Sequence, residues 1–355
     1  MNENATTIRL NDLETFCFES LRAIGMNERH AKITAEVLSK TDAFGTHSHG
    51  TKNLYDYIRK IKAGGITLNV EPTVVREGPA FAIMDAHDAI GMVPAHDAML
   101  LAMKKAAACG IGIVTVKNAT HFGAAGYYAN LAAQGGMFGI CTSNVDPNMT
   151  IPGARSKVIG NNPFAYAAPG KETPSVFLDV ALSSVASLKV VQAKKDGRSI
   201  PDTWIVGPDG LPTTDPSSYP DGCAMQPMAA HKGYGLAMMV DLLTGVLSGG
   251  ACSMTGEIDS WLFNMEEPNH VCHTFIAVDV AQFVGEDAYR ARVDHIGNIL
   301  HDVPKAAGVD RVFLPGEIEW NKHAVAEANG LKLPEDVADS LKKLAAESGA
   351  ELKLF

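Results

Sequence analysis

The chain has 355 residues, of which 46% are hydrophobic and 20% are charged. This composition excludes a fibre and a disordered protein, and the length indicates about two domains. The 40 acidic and 30 basic residues give a formal net charge of −10, which argues against nucleic acid and an anionic membrane as partners.

The chain carries few signs of export. Its first residues have neither a basic start nor an apolar stretch, so no signal peptide is predicted. No segment approaches the ~18 continuous apolar residues of a membrane helix. The six cysteines are scattered without a C-x-x-C pair, which is typical of reduced thiols. We therefore expect a cytoplasmic protein.

Helices are predicted for the first seventy residues. An apolar spacing of three and four residues predicts a first helix, with Asn11 and Glu14 as its capping pair. Asn27 is predicted to cap a second helix. A third helix is predicted over the apolar positions 54–61, where it ends at two glycines.

From about residue 75 the pattern changes to short apolar runs separated by helical stretches. This alternation predicts an α/β layer structure. Strands are predicted at 80–84, 111–116, 137–142, 175–179, 274–278 and 311–314. Helices are predicted at 93–109, 123–134, 233–247, 286–301 and 334–347, and the turn-rich residues 194–230 are predicted to form a long connection.

Two common phosphate-binding motifs are absent from the sequence. Gly110-Ile-Gly112 sits at the start of a predicted strand, and Thr115 stands where the third glycine of G-x-G-x-x-G would be. A Walker-type loop is also missing. The sequence therefore gives no support to a standard Rossmann site.

The segment His47-Ser48-His49-Gly50 lies between two predicted helices, where loop side chains can face a cleft. An imidazole there is a natural acid or base near neutral pH, and a neighbouring hydroxyl can orient it. Ordinary helix-linker residues are the alternative. A zinc site shared with His270, Cys272 and His273 lacks a further ligand at fixed spacing, so we expect no metal.

Two further segments could carry chemistry. His121 precedes Gly123-Ala-Ala-Gly126 at a strand-to-helix corner, where small residues leave helix amides open to a phosphate or a nicotinamide. A capping histidine is the alternative. Lys232 stands at the start of the predicted 233–247 helix, where a cation opposes the helix dipole. A nearby anion would explain it, and a solvated lysine is the simpler alternative.

Several short motifs occur in an order and spacing that is highly specific when they are taken together. They are His47-Ser-His-Gly50, His121-Phe-Gly-Ala-Ala125, Gly160-Asn-Asn-Pro-Phe-Ala165 with Ala168-Pro169, Leu178-Asp-Val-Ala181, Ile200-Pro-Asp-Thr-Trp204, Pro212-Thr-Thr-Asp-Pro216, His231-Lys-Gly-Tyr-Gly235 and Leu314-Pro-Gly-Glu317. With these motifs the chain resembles, nearly end to end, the malate/L-lactate dehydrogenase family. That family also includes ureidoglycolate and sulfolactate dehydrogenases, 2,3-diketogulonate reductase and piperideine-2-carboxylate reductase.

The resemblance implies a non-Rossmann, sulfolactate-dehydrogenase-like α/β fold. It implies a helical substrate and dimerisation domain built from residues 1–75 and 280–355, and a central α/β domain at 76–279 that binds NAD or NADP. It also implies a homodimer that interconverts a small 2-hydroxy acid and its 2-oxo acid by hydride transfer. For the imine reductases the pair is a cyclic imine and an amino acid.

The resemblance also assigns roles to single residues. His49 falls on the position of the proton donor with Ser48 as its relay, and His121 matches the acid/base of other members. Which histidine moves the proton is left open. The substrate-side positions are Tyr57, Asn53 and Asp146. The cofactor-side positions are His121, Phe122, Gly123, Asp179, Val180, Ala181, Lys232, Pro315, Gly316 and Glu317.

Two departures from the family pattern bear on specificity. Asn53 stands where many members carry an arginine suited to forked carboxylate binding. This favours a cyclic-imine reductase as the alternative to a dehydrogenase of malate, sulfolactate or ureidoglycolate. Leu188 precedes Lys189 where the family tends to have glycine, so the choice between NAD and NADP stays open. A non-catalytic nucleotide sensor is a third hypothesis.

Overall fold

The computed structural model of the chain describes residues 7–348. The parts of the predicted helical domain at residues 1–6 and 349–355 lie outside the described residues. The helices are α1 (Leu10–Ala23), α2 (Glu28–Ala43), α3 (Leu54–Ala63), α4 (Met92–Cys109), α5 (Ala125–Gln134), α6 (Ser187–Lys195), α7 (His231–Asp241), α8 (Val280–Val284), α9 (Glu286–His301), α10 (Glu317–Asn329) and α11 (Glu335–Ser348). The strands are β1 (Thr7–Ile8), β2 (Thr73–Glu77), β3 (Phe81–Asp85), β4 (Ile111–Ala119), β5 (Phe138–Ser143), β6 (Phe164–Pro169), β7 (Ser175–Val180), β8 (Ile205–Val206), β9 (Pro212–Thr213), β10 (Ala224–Met225), β11 (Val271–Val278) and β12 (Leu331–Lys332).

A seven-stranded mixed sheet forms the centre of the molecule, in the order β2-β3-β4-β11-β5-β6-β7. Only β3 and β4 pair in parallel, and β11 runs antiparallel to both β4 and β5. Helices α4 and α5 pack on this sheet. Glycines permit their close approach, since a Cβ at Gly139 would lie 2.5 Å from the carbonyl oxygen of Ala129. The predicted α/β layer structure is therefore confirmed.

Helices from both ends of the chain pack together beside the sheet. Helices α1, α2 and α3 contact α10 and α11, and β1 pairs with β12 through Ile8 and Leu331. Helix α9 lies elsewhere, because Arg290 donates to the carbonyl of Gly170 at 2.7 Å, beyond the end of β6. The C-terminal segment thus contacts both the N-terminal helices and the central sheet.

The segment predicted as one long connection contains regular structure. Strands β8, β9 and β10 form a small antiparallel sheet at residues 205–225. They pack with α6 and α7 around a second apolar core, which includes Met149, Val190, Ile205 and Val240. Each strand has only two residues, too few for a periodic pattern, so sequence reasoning missed them.

The other predicted elements are confirmed with small shifts at their ends, with two exceptions. Asn11 does not cap α1, because the helix begins at Leu10 and has no side-chain cap. The predicted strand at 311–314 is irregular backbone, since the Leu314 amide donates to the Glu317 carboxylate rather than to a neighbouring strand. Strands β2 and β6 were not predicted, and β2 is exposed along its whole length.

Helix α7 departs from regular geometry near its end. It begins at His231, two residues before the predicted start, and continues into a π-helical turn at Leu242–Val246. None of the helices found within residues 7–348 is long and apolar enough to cross a bilayer.

Candidate active site

The loop between α2 and α3 is built around the buried carboxylate of Asp42. This side chain accepts hydrogen bonds from the amide of Thr51 at 2.8 Å, the hydroxyl of Thr51 at 2.5 Å and Nδ1 of His47 at 2.8 Å. A Cβ at position 50 would overlap the same carboxylate, so the turn requires Gly50. The loop therefore bends around Asp42 and presents His49 on its outer side.

His49 is exposed to solvent, and hydrogen bonds of Ser48 and Asn53 stabilise the loop that carries it. The hydroxyl of Ser48 lies 2.8 Å from its Nδ1, and Asn53 donates from Nδ2 to the carbonyl of Ser48 at 2.9 Å. Although solvent reaches the ring, desolvation by the surrounding chain lowers its pKa below 6.5. The imidazole is therefore mainly neutral near pH 7.

His121 stands at the corner between β4 and α5, where its Nδ1 meets two groups. These are the hydroxyl of Tyr57 and, at 3.4 Å, the amide of Gly123. An amide N–H can only donate, and burial holds the pKa of Tyr57 well above 10, so the phenol stays protonated. This network assigns Nδ1 as an acceptor and places the proton on Nε2.

Burial also holds the pKa of His121 well below 6.5, and the nearby His49 and His273 lower it further. A neutral ring suits the assigned tautomer, because a protonated ring would set a donor against the amide of Gly123. His273 lies near the same corner, next to Phe122, the residue that follows His121. His273 contacts Ser143 at 2.8 Å and stacks on Phe122 with ring centres 4.2 Å apart.

The rings of the site form one aromatic cluster. The centres of His49 and His121 are 5.6 Å apart. Trp261 stacks on His121 at 4.6 Å with an interplanar angle of 12°, and on Tyr57 at 5.1 Å. The structure thus brings together three residues that the sequence suggested, and adds Trp261, which sequence reasoning missed.

The other substrate-side positions have different surroundings. Asn53 is buried and its side-chain nitrogen already braces the loop of Ser48. Asp146 follows β5 and is half-buried. Burial raises its pKa, and the carboxylate of Asp259 adds to that rise while Lys157 opposes it. The charge of Asp259, two residues before Trp261, therefore acts on the Asp146 carboxylate.

A cavity of about 110 Å³ is lined in part by residues that the resemblance assigns to the cofactor. Its lining includes Gly126, Phe177, Asp179 and Gly316, which belong to α5, β7 and the start of α10. A carboxylate oxygen of Asp179 accepts from the amide of Gly126 at 2.7 Å. This amide at the start of α5 is therefore occupied by a carboxylate, whereas we expected it to be open to a phosphate.

Desolvation raises the pKa of Asp179 to about 6, and Glu319 contributes to the rise while the bond from Gly126 opposes it. The next two cofactor-side positions extend the same strand. Val180 pairs with Phe164, and Ala181 follows directly, half-buried.

The segment Pro315-Gly316-Glu317 is fastened to β7. Gly316 has φ 84°, and a Cβ there would overlap the ring of Phe177. The carbonyl of Pro315 accepts from the amide of Phe177 at 3.1 Å. Glu317 accepts from His301 at 2.9 Å and is also paired with Arg311. Glycine is thus required where this segment crosses the strand.

Lys232 lies at the exposed start of α7 and does not line the cavity. The two residues before this helix, Ala229 and Ala230, have φ of 48° and 55°, a region that alanine rarely adopts. At Gly233 a Cβ would overlap the carbonyl oxygen of Met228. The motif therefore maintains a strained, close-packed turn, as functional sites often do.

The histidines and cysteines considered for zinc are engaged elsewhere. His270 lies 3.5 Å from Asp88, and the buried His273 contacts Ser143 and Thr120. Within the described part of the chain, no three potential ligands converge on a metal position.

The sequence matches a family of known enzymes. The profile of the malate/L-lactate dehydrogenase family covers residues 8–342. Malate dehydrogenase of Pyrococcus horikoshii is 33% identical over 99% of this chain and 98% of its own length. Ureidoglycolate dehydrogenase (NAD(+)) of Escherichia coli is 33% identical over 88% of each chain.

Solved structures show the same fold. Sulfolactate dehydrogenase of Methanocaldococcus jannaschii superposes with a TM-score of 0.90 at 32% identity, over 98% of this chain and 99% of the other. Delta1-piperideine-2-carboxylate reductase of Pseudomonas syringae superposes with a TM-score of 0.85 at 28% identity, over 96% and 100%. The expected sulfolactate-dehydrogenase-like fold is confirmed.

Proposed function

The chain belongs to the malate/L-lactate dehydrogenase family, and from this premise we propose that it transfers a hydride between NAD or NADP and a small 2-hydroxy or 2-oxo acid. The proposal depends on one observation, the pairing of His49 and His121 with ring centres 5.6 Å apart. Reduction of a 2-oxo acid needs a group that orients the carbonyl oxygen and a group that supplies a proton.

The two histidines divide these roles in the proposed mechanism. Nδ1 of His121 accepts from Tyr57 and faces the amide of Gly123, so Nε2–H remains to donate to the substrate oxygen. His49 is freer, because the hydroxyl of Ser48 can donate to Nδ1 or accept from it. His49 can therefore give a proton to the substrate oxygen in reduction and take one in oxidation.

A nicotinamide cofactor, when bound, supplies the hydride to C2 or accepts it from C2. Asp179, Val180, Ala181, Gly316 and Lys232 are the residues that would hold it. Gly316 and Asp179 both line one cavity, which supports this assignment. The cavity of about 110 Å³ is smaller than the ~300–1,000 Å³ of typical ligand sites, so it fits one part of a dinucleotide.

The enzyme is proposed to work as a homodimer. Leu236, Leu242 and Val246 on α7 and the π-helical turn are 44%, 49% and 57% exposed. Exposed large apolar side chains on one helical segment are typical of a protein interface. Light scattering coupled to gel filtration is expected to give twice the mass of one chain, and a monomer mass would contradict the dimer.

The proposed domains are the segments 1–75 and 280–355 on one side and 76–279 on the other. The packing of α1, α2 and α3 with α10 and α11 supports this division. The six cysteines carry free thiols, which suits a reducing compartment such as the cytoplasm.

A cyclic-imine reductase is the second candidate. The observation that favours it is Asn53, whose amide is committed to the Ser48 carbonyl and offers no fork for a second carboxylate. An imine substrate with a single carboxylate would not need that fork. The solved piperideine-2-carboxylate reductase has the same fold.

One activity grid tests both candidates. Purified enzyme is assayed with NADH and NADPH against pyruvate, oxaloacetate, sulfopyruvate, and piperideine- and pyrroline-2-carboxylate, by the absorbance of the reduced nicotinamide. Turnover of a 2-oxo acid is the expected result, and turnover of the imines alone would select the second candidate. Absence of turnover, together with absence of nucleotide binding by calorimetry, would contradict both. Tight nucleotide binding without turnover would instead identify a sensor.

A further inference from the structure

The segment at residues 259–267 is fixed against the end of α3. The buried ammonium of Lys60 donates to the carbonyls of Asn264 and Glu267, the latter at 2.7 Å. Gly65 lies so close that a Cβ there would overlap the carbonyl oxygen of Met265. Two anchors therefore hold an irregular segment in a fixed position over the active site.

This segment places Trp261 over the hydrogen bond between Tyr57 and His121. The indole lies nearly parallel to both rings, at 12° to His121 and 23° to Tyr57. It therefore covers one face of each of the two rings that this hydrogen bond joins.

Such a cover has a direct electrostatic consequence. Excluding water strengthens the hydrogen bond that it shields and disfavours a charge on the ring. The titratable groups that face His121 are Tyr57, His49 and His273, and burial together with these two imidazoles disfavours its protonation. The titratable neighbours and the aromatic cover thus act in the same direction.

We propose that Trp261 is a positioning residue, which keeps water from Nδ1 of His121 and thereby holds the imidazole in its neutral Nε2–H form. The catalytic meaning of this inference rests on the proposed function, because Nε2–H is the group assigned to the substrate oxygen. If Trp261 were only apolar filling, its replacement would change the stability of the fold without changing the titration of His121.

Nuclear magnetic resonance on the whole chain tests the inference without any turnover. Long-range proton–nitrogen spectra of histidine-labelled protein report both the tautomer and the titration of each ring. Comparison with His121→Gln identifies the signals of His121. The variants are Trp261→Ala, Trp261→Leu and Trp261→Phe, with Trp204→Phe as a matched control in the second apolar core.

In the wild type, Trp261→Phe and Trp204→Phe, His121 is expected to stay neutral with its proton on Nε2 well below pH 6.5. In Trp261→Ala and Trp261→Leu, its titration is expected to move up toward 6.5, the ordinary value for histidine. Leucine is smaller than indole and has no flat face to stack on both rings, so it leaves the hydrogen bond open to water, and this variant decides the matter if the alanine variant does not fold. An unchanged titration in a folded alanine or leucine variant would overturn the inference.

A kinetic readout separates this inference from the proposed function. For Trp261→Ala, the ratio of kcat/KM at about pH 5 to that at about pH 8 is expected to fall about fivefold relative to the wild type, because protonation of Nδ1 breaks the hydrogen bonds with Tyr57 and Gly123 that hold the ring in place. Equal losses at both pH values would overturn the inference and leave the proposed function intact. Inactivity of the wild type on every substrate would contradict the proposed function. The titration of His121 by nuclear magnetic resonance would then still test the role of Trp261.

Discussion

The His49 loop and the His121 corner present the same side chain in opposite surroundings. His49 lies at the surface, and its Nδ1 faces a hydroxyl that can donate or accept. His121 lies under Trp261, and its Nδ1 faces an amide that can only donate. Of two neighbouring imidazoles, one is free to exchange a proton and the other is held in one form. Their environments therefore assign their roles, as the residue type alone does not.

The largest expected effect comes from removing either ring. His49→Ala and His121→Ala are each expected to lower kcat by about 10²–10⁴-fold, the usual range for losing a positioned acid or base. The two variants should differ in rescue, because His49 is exposed whereas His121 is half-buried and stacked against Trp261. Added imidazole is expected to restore part of the activity of His49→Ala and none of that of His121→Ala. Equal rescue of both would contradict the contrast between the two sites.

The hydrogen bonds of Asp42 that stabilise the His49 loop can be removed without changing either histidine of the pair. Asp42→Ala leaves the amide and hydroxyl of Thr51 without their buried acceptor, which is expected to cost about 2–4 kcal/mol of unfolding free energy. The loop should also lose its shape, so kcat is expected to fall about tenfold. Urea unfolding and steady-state assays measure the two effects. Asp42→Asn keeps one oxygen and should lose less, and an alanine variant as stable and active as the wild type would contradict this role.

The His121 corner continues into α5, whose first turn is capped by Asp179. The folded pKa of about 6 lies above the unfolded value of 3.8, so this group makes folding less favourable as pH rises from about 4 through about 6. Asp179→Asn cannot ionise, and we expect it to be more stable than the wild type by roughly 1–3 kcal/mol above pH 7.

That gain should vanish below about pH 4, where the wild-type carboxyl is neutral in both states. Thermal unfolding at several pH values measures the difference, with the exposed Asp202→Asn measured alongside as a matched control. A gain that persists at low pH would show that the carboxylate is not the cause.

The smallest expected effect concerns the phenol at the His121 corner. Tyr57→Phe keeps the ring stacked on Trp261 but removes one hydrogen bond to Nδ1, a change of about 1 kcal/mol. We expect kcat to fall about fivefold with KM little changed, measured in steady state. An unchanged kcat would show that the tautomer of His121 does not depend on this bond.

Most helices and central strands could be predicted from the sequence, because helix caps and apolar runs are local patterns. The capping of α2 by Asn27 is confirmed, since its side chain accepts from the amide of His30 at 2.8 Å. The central strands with continuous apolar runs were also predicted, and β11 is an example. The short strands β8 to β10 were not, because two residues cannot show a period.

The residues of the candidate site could be predicted from the sequence only in part. The histidines were evident as motifs in loops, yet their closeness depends on the packing of α2 against α4 and α5, which no local pattern reveals. Trp261 lies in irregular backbone and gave no periodic signal. Asp42 lies on the buried side of α2, where a carboxylate among apolar residues could have indicated a hidden partner. The carboxylate cap on α5 likewise required the sheet to bring β7 beside that helix.

Hydride transfer itself is most directly tested with reduced nicotinamide cofactors that carry deuterium at C4 of the ring. The enzyme is incubated with NADH or NADPH labelled on one face or the other, together with the best 2-oxo acid of the activity grid, and the product is examined by mass spectrometry. We expect a 2-hydroxy acid with one deuterium at C2, from one labelled face only. Consumption of both labelled forms of the cofactor without deuterium in either product, or equal transfer from both faces, would contradict a hydride-transferring enzyme of this kind.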